Sequence, residues 1–264
     1  MAENGLAKSR ENARALIMAG QVYVAGRKAE KAGEMIGEGD AITVREDPIP
    51  FVSRGGLKLD KALRVFPITL TGRVAADIGA STGGFTDCML KNGAAKVYAL
   101  DVGYGQLDWS LRNDARVVVR ERTNARYMEP AWYDEALDFA SIDVSFISLD
   151  KILPPLFQCL KEGGEVVALI KPQFEAGRGK VGKHGVVSDR AVHLDVIRTV
   201  IGFARDCGYG IAGLSFSPIR GPKGNIEFLL WLKKPSAGDA GICCVSERDA
   251  EDTVESAHSA CISN

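Results

Sequence analysis

The sequence predicts an α/β fold on a mostly parallel sheet, with a small module ahead of it and an acidic tail behind. Three observations carry that expectation. Between Arg73 and Leu232, apolar β-rich runs alternate with helical patterns, as units of strand, helix and parallel strand require. At Asp77-Ile78-Gly79-Ala80-Ser81-Thr82-Gly83-Gly84-Phe85 one such run breaks into spaced glycines before a helical segment. That pattern gives a strand, a tight turn and a helix start, whose backbone N–H groups can approach a nucleoside closely. Finally, no run of about 18 apolar residues occurs and the N-terminus has no apolar signal core, so a cytoplasmic protein with no membrane span is expected.

Composition excludes a disordered chain: 46% hydrophobic and 25% charged residues give enough apolar surface for a sizeable core. The formal net charge of −1 hides an asymmetry. Residues 236–264 hold six acids against one base, which leaves a mildly basic body, compatible with a nucleic-acid partner. The six cysteines lack metal-ligand spacing and are read as reduced thiols, with no zinc site. The adjacent Cys243 and Cys244 are assigned no role.

The first module is expected over residues 1–46. Ser9 can cap a helix from Arg10 to Ala19, which Gly20 ends. Ala13, Leu16 and Ile17 would share one face, with Lys8, Arg10 and Arg14 on the other. Gln21–Arg27 reads as a strand and turn, and residues 40–45 as a second strand. The stretch GLAKSRENARALIMAGQVYVAGR (Gly5–Arg27) resembles the signature of the S4 RNA-binding domain; a small αβ packing module is the plainer alternative. S4 domains open with a further helix, so either the start of this sequence is late or the module is truncated. Seven bases face seven acids over residues 1–46, which leaves phosphate binding to one helix face.

Residues 47–53 read as a linker, since Pro48 and Pro50 disfavour helix. The main domain is expected over 54–235, opening with a helix whose Leu57, Leu59 and Leu63 face inward and whose Lys58 and Lys61 project together. Strands are expected near 73–78, 96–101, 116–120, 137–142, 165–170, 212–217 and 226–232. Helices are expected near 83–92, 150–160 and 189–206, and Lys161-Glu162-Gly163-Gly164 should cap the second. Ligands of such sheets bind outside the carboxyl ends of the strands, where this chain places Asp77, Asp101, Asp143 and Lys171. Asp101 can accept hydrogen bonds from both hydroxyls of a ribose. Each acid taken singly is as well explained as a cap or turn residue, but together they point to a nucleoside cofactor. Ser81 replaces the middle glycine of a dinucleotide fingerprint, which weighs against a pyrophosphate and favours a ligand such as S-adenosylmethionine.

Residues 171–190 hold five bases against two acids, a glycine-rich loop that either meets phosphates or is merely solvated. His184 belongs to this loop rather than to catalysis. Glu227 sits inside the last apolar run, and a carboxylate there needs a partner. The tail, 236–264, is expected to be disordered or loosely helical.

The motifs SRGGLKL, DIGASTGGFTD, LDVGYGQL, SIDVSFISL, IKPQFE and GNIEFLLWL stand in this order. Together they resemble the TlyA (hemolysin-A-like) family of S4-containing, FtsJ-type RNA methyltransferases, over about residues 4–233. The resemblance implies a Rossmann-like class I methyltransferase sheet and S-adenosylmethionine-dependent methylation of a ribose 2′-hydroxyl in ribosomal RNA. It also implies a catalytic set of Lys58, Asp143, Lys171 and Glu227, with Lys171 accepting the hydroxyl proton without a metal. A lysine does so only where burial and a neighbouring ammonium, here Lys58, favour its neutral form. Cofactor contacts are then expected from Asp77, Gly79, Ser81, Gly83, Gly84, Phe85, Asp101 and Asn124. RNA contacts are expected from Lys8, Ser9, Arg10, Arg14, Arg27, Arg54, Arg178, Lys180 and Lys183. A non-catalytic ribosome-assembly factor and a cytolysin are the alternatives; the oligomeric state stays open.

Overall fold

The computed structural model describes the chain except residues 3, 8, 19–20, 30, 38, 45–48, 238–243 and 261–264 and the side chains of residues 15, 18, 28 and 178. Two units divide it, residues 1–50 and 51–264.

In the first unit, helix α1 (Arg10–Met18) begins where Ser9 Oγ accepts a hydrogen bond from the Asn12 N–H at 3.0 Å, a side-chain cap on an otherwise orphan donor. Strands β1 (Val22–Val24), β2 (Arg27–Lys28) and β3 (Ile42–Val44) form an antiparallel sheet in the order β2-β1-β3. Leu16, Ile17 and Ile42 pack on Val22, Val24 and Ala29. Arg10 and Arg14 do not oppose this face. With Ala13 and Ile17 they line one cavity, because positions 10, 14 and 17 stack on successive turns. Lys8 and Gly20 lie outside the described residues, as do residues 45–46 at the end of the expected module and 47–48 of the expected linker.

The second unit starts with α2 (Gly56–Val65), β4 (Val74–Ile78), α3 (Gly84–Lys91), β5 (Lys96–Leu100), α4 (Trp109–Arg112), β6 (Val117–Arg120) and β7 (Leu137–Ile142). It continues with α5 (Leu153–Cys159), β8 (Leu160–Ile170), α6 (Pro172–Glu175), α7 (Arg190–Asp206), β9 (Gly210–Phe216), β10 (Phe228–Lys233) and α8 (Glu247–Ala260). The sheet order is β6-β5-β4-β7-β8-β10-β9. Every pairing is parallel except those of β10, which lies antiparallel between β8 and β9. The chain turns in opposite directions on the two sides of β4, and a crevice opens there at the carboxyl ends. All five residues of β4 are buried, as a strand covered on both faces must be. One apolar cluster joins Ile78, Leu100 and Ile142 to α5, α7 and α8; the other joins Ala75, Val97 and Phe139 to α2 and α3.

The helix expected near 150–160 is present, as a 3₁₀ turn (Leu149–Lys151) followed by α5, whose Pro154 sits in its first turn, where no N–H is missed. Lys161–Gly164 do not cap a helix: they lie within β8, which shifts register against β7 between Leu137 and Phe139. Of the tail, expected to be disordered or loosely helical, residues 247–260 form a packed helix, α8. Ala250, Val254 and Ala257 share its buried face, packed on α7 and β9, while the acids Glu251, Asp252 and Glu255 point outward. Ser246 and Asp249 cap its start reciprocally, through N–H bonds of 2.7 and 3.2 Å.

Candidate active site

Lys58 projects from the first turn of α2, Asp143 and Lys171 directly follow β7 and β8, and Glu227 directly precedes β10. Register explains the last pairing: Phe228 lies opposite Ile170 in the antiparallel ladder, so Glu227 and Lys171 face each other at the same edge. The four side chains form one chain of ion pairs. Lys58 Nζ is 2.7 Å from Glu227 Oε2 and 3.2 Å from Asp143 Oδ2. Lys171 Nζ is 2.5 Å from Asp143 Oδ1 and 3.0 Å from Ser145 Oγ.

Two ammoniums and two carboxylates cancel, which lets the cluster be buried: Lys58 is 7%, Lys171 8% and Glu227 1% exposed. Burial acts against the Lys58 ammonium, yet Asp143 and Glu227 outweigh it and raise the Lys58 pKa above the ordinary lysine value. Burial likewise acts to raise the Asp143 carboxyl, and Lys58 and Lys171 overcome it, holding the group below the usual carboxylate range. Asp143 lies between Lys58 and Lys171 and contacts both.

Two cavities meet at this cluster. One, of about 210 Å³, is lined by the four charged residues with Ser53, Gly84, Phe85 and Pro222. The other, of about 520 Å³, is lined by Asp101, Gln106, Asn124, Val144 and Phe146 among others, within the range of small-molecule sites. Gly79, Ser81, Asp143 and Ser145 border both. Gly79 has φ +89°, and a Cβ there would lie 2.6 Å from the Asp143 carbonyl oxygen, so only glycine lets the turn rest on the next strand.

Asp101 accepts the N–H groups of Ser81 and Gly103, each at 2.7 Å. Asn124 Oδ1 accepts the Arg126 N–H at 3.1 Å. Carboxylate acceptors, an amide and a glycine-floored cradle suit the hydroxyls and base of a nucleoside.

Two expected contacts do not reach either cavity. Asp77 turns into the sheet, where its Oδ2 accepts the Thr86 N–H at 2.8 Å and hydroxyl at 2.7 Å, fastening α3 to β4. Burial, with help from the charge of Asp143, pushes its pKa up to about 7 against those bonds. Gly83, with φ +96°, lines neither cavity, and a Cβ there would run into Leu107 and Leu111.

The residues expected to touch RNA are dispersed. Ser9 caps α1, and Arg27 pairs with Glu34 in the first unit. In the second, Arg54 and Lys183 are exposed, and Lys180 pairs with Asp195 at 3.2 Å. The Arg178 side chain lies outside the described residues.

Ser145 and Phe146 stand in the strand-end motif SIDVSFISL, where the sequence reading gives them no role. Ser145 holds Lys171, while Phe146 is 91% exposed, has φ +63° and sets its ring 5.0 Å from that of Phe174. Their position directly after an acid that ends a strand was the available signal.

A model of the FtsJ-like methyltransferases matches residues 51–234, and a model of the S4 domain matches residues 1–42. Over 88% of its length the chain is 47% identical to the 16S/23S rRNA (cytidine-2′-O)-methyltransferase TlyA of Mycobacterium tuberculosis, covering 87% of that protein. Over 85% of its length it is 45% identical to Hemolysin A of Brachyspira hyodysenteriae, covering 94% of it. A solved hemolysin-family structure from Streptococcus thermophilus superposes with a TM-score of 0.82 at 47% identity, across 98% of this chain and 94% of that one. By these matches the chain belongs to the FtsJ-like methyltransferases, in the S4-bearing TlyA branch.

Proposed function

We propose that this protein methylates a ribose 2′-hydroxyl of ribosomal RNA, with S-adenosylmethionine as the donor, and that it works in the cytoplasm. The observation that carries this reading is the junction of a nucleoside-sized cavity with a buried Lys-Asp-Lys-Glu chain through the single residue Asp143. Asp101 and Asn124 would hold the donor's ribose and base, and Gly79 and Ser81 its amino-acid end. When bound, S-adenosylmethionine supplies a methyl group on a positively charged sulfur.

The protein's own residues prepare the acceptor. A ribose hydroxyl is a weak nucleophile, so its proton must leave as its oxygen attacks. In its neutral form Lys171 Nζ takes that proton and becomes an ammonium, and Asp143 and Ser145, already in contact with this nitrogen, fix its direction. Lys58, kept as an ammonium by two carboxylates, contacts Asp143 from the other side. Glu227 keeps Lys58 in place. The exposed Phe146 ring offers a face to the acceptor base. Placement of hydroxyl and donor in adjoining cavities supplies the remaining acceleration.

The test is methyl incorporation into purified ribosomal RNA by the wild type and by Lys171→Ala. Loss of a general base lowers turnover by about 10²–10⁴-fold, with donor affinity unchanged by calorimetry. Wild-type turnover in the variant would overturn the assignment.

A further inference from the structure

Two loops stand beside Lys171 and Glu227: residues 176–189, between α6 and α7, and residues 217–227, between β9 and β10. Asn225, 2% exposed, ties one to the other. Its Oδ1 accepts the Val187 N–H at 2.9 Å and its Nδ2 donates to the Gly185 carbonyl at 2.9 Å. Its own carbonyl accepts the Gly221 N–H at 2.9 Å, closing the turn that contains Pro222 and Lys223. Lys223 then reaches across, with its Nζ only 3.4 Å from where a Cβ on Gly185 would stand.

The charges on this joined surface are lopsided. Lys180, Lys183, Arg220 and Lys223 are exposed on it. Its outward acid is Asp189, which caps α7 by accepting the Ala191 N–H at 2.8 Å. Lys180 shares its charge with Asp195 at 3.2 Å, and the Arg220 guanidinium donates to the Gly224 carbonyl at 3.2 Å. Pro222, in the middle of the second loop, lines the cavity that holds the charged cluster.

We infer that the two loops, locked edge to edge by Asn225, form a cationic wall that grips the RNA phosphates flanking the acceptor ribose, with Asn225 as its positioning residue. The inference rests on the reading of the substrate as RNA. A lone exposed lysine gains little against a phosphate in water, whereas several at fixed spacing each displace a counterion from a regular backbone. The first loop has glycine at 177, 179, 182 and 185, a composition that would otherwise lose much conformational freedom on binding. Asn225 holds it in place beforehand, beside the residues that meet the hydroxyl.

The experiment measures KM, kcat and the salt dependence of binding on purified 16S and 23S ribosomal RNA. It compares the wild type with Asn225→Ala and with the surface pair Lys183→Ala/Lys223→Ala. The lysine pair should raise KM roughly tenfold and flatten the log–log salt slope by roughly 1.5, as two lost phosphate contacts require, with donor affinity unchanged. Asn225→Ala should raise KM and flatten the slope in the same direction, with a smaller effect on kcat.

Wild-type KM and slope in the lysine pair would overturn the wall; that variant decides the matter even if Asn225→Ala fails to fold. Loss of kcat alone in Asn225→Ala would make Asn225 a mere support for Glu227 and overturn its assigned role. If the wild type binds RNA with a slope that the lysine pair reduces yet methylates none, the methylation reading fails and the wall stands.

Discussion

Asp77 and Asp143 end neighbouring strands with the same side chain, and their surroundings drive them in opposite directions. Asp77 has two hydroxyls and an N–H but no cation, so burial raises its pKa to about 7; Asp143 touches two ammoniums and stays low. A native carboxyl that binds its proton more tightly than the unfolded one loses stability as pH rises from 3.8 to about 7, and no further above that. Asp77→Asn keeps an acceptor for Thr86 and removes the titration, so its melting temperature should vary less than the wild type's across that window in a pH series. The ion-pair chain predicts a different signature. Lys58→Ala leaves Glu227 buried without its partner and should cost about 3–5 kcal/mol in urea unfolding. The double variant Lys58→Ala/Glu227→Ala should cost clearly less than the sum of the two singles.

Among elements, α8 is the most informative departure. Five acids and no large apolar residue hid it in the sequence, because its buried face is made of Ala250, Val254 and Ala257. Val254→Asp should lower stability by about 3 kcal/mol through an unpaired buried charge, measured by urea unfolding. A disordered tail would have shown no effect.

The helix also carries a pH signature. His193 Nε2 lies 3.0 Å from the Val187 carbonyl and so donates to it. Its Nδ1 then accepts from His258 Nε2 at 2.9 Å. Burial lowers both histidine pKa values below 6.5, so their contribution is whole above that pH and is lost as pH falls through it. Amide exchange in α8 should therefore accelerate between pH 7 and pH 5 more than exchange in α2, which lacks a histidine.

The strands β4, β5 and β7 are legible because buried parallel strands are nearly continuous apolar runs, while β6, half-buried, is legible from its run of valines. Asp143, Lys171 and Glu227 stand out because charges at the ends of such runs are out of place, whereas Lys58, in the first turn of a helix, is singled out only by the family resemblance. Asp77 shows the same strand-end signature, and sequence pattern does not tell which way such a side chain turns. Phe146 lies in a motif the sequence displays, but a positive φ at a non-glycine residue has no composition cue.

At the scale of the molecule, the two units meet different needs. Residues 51–264 contain both cavities, so that segment alone should bind S-adenosylmethionine with the affinity of the full chain while binding ribosomal RNA more weakly. Calorimetry and filter binding check the two halves of this prediction.

Four residues, Gly79, Ser81, Asp143 and Ser145, line both cavities, and of these only Asp143 belongs to the ion-pair chain. On the proposed reading, a substitution of its side chain therefore disturbs the charged cluster and the rim of the larger cavity together, whereas a change in the outer loops or around Asp101 reaches only one of them.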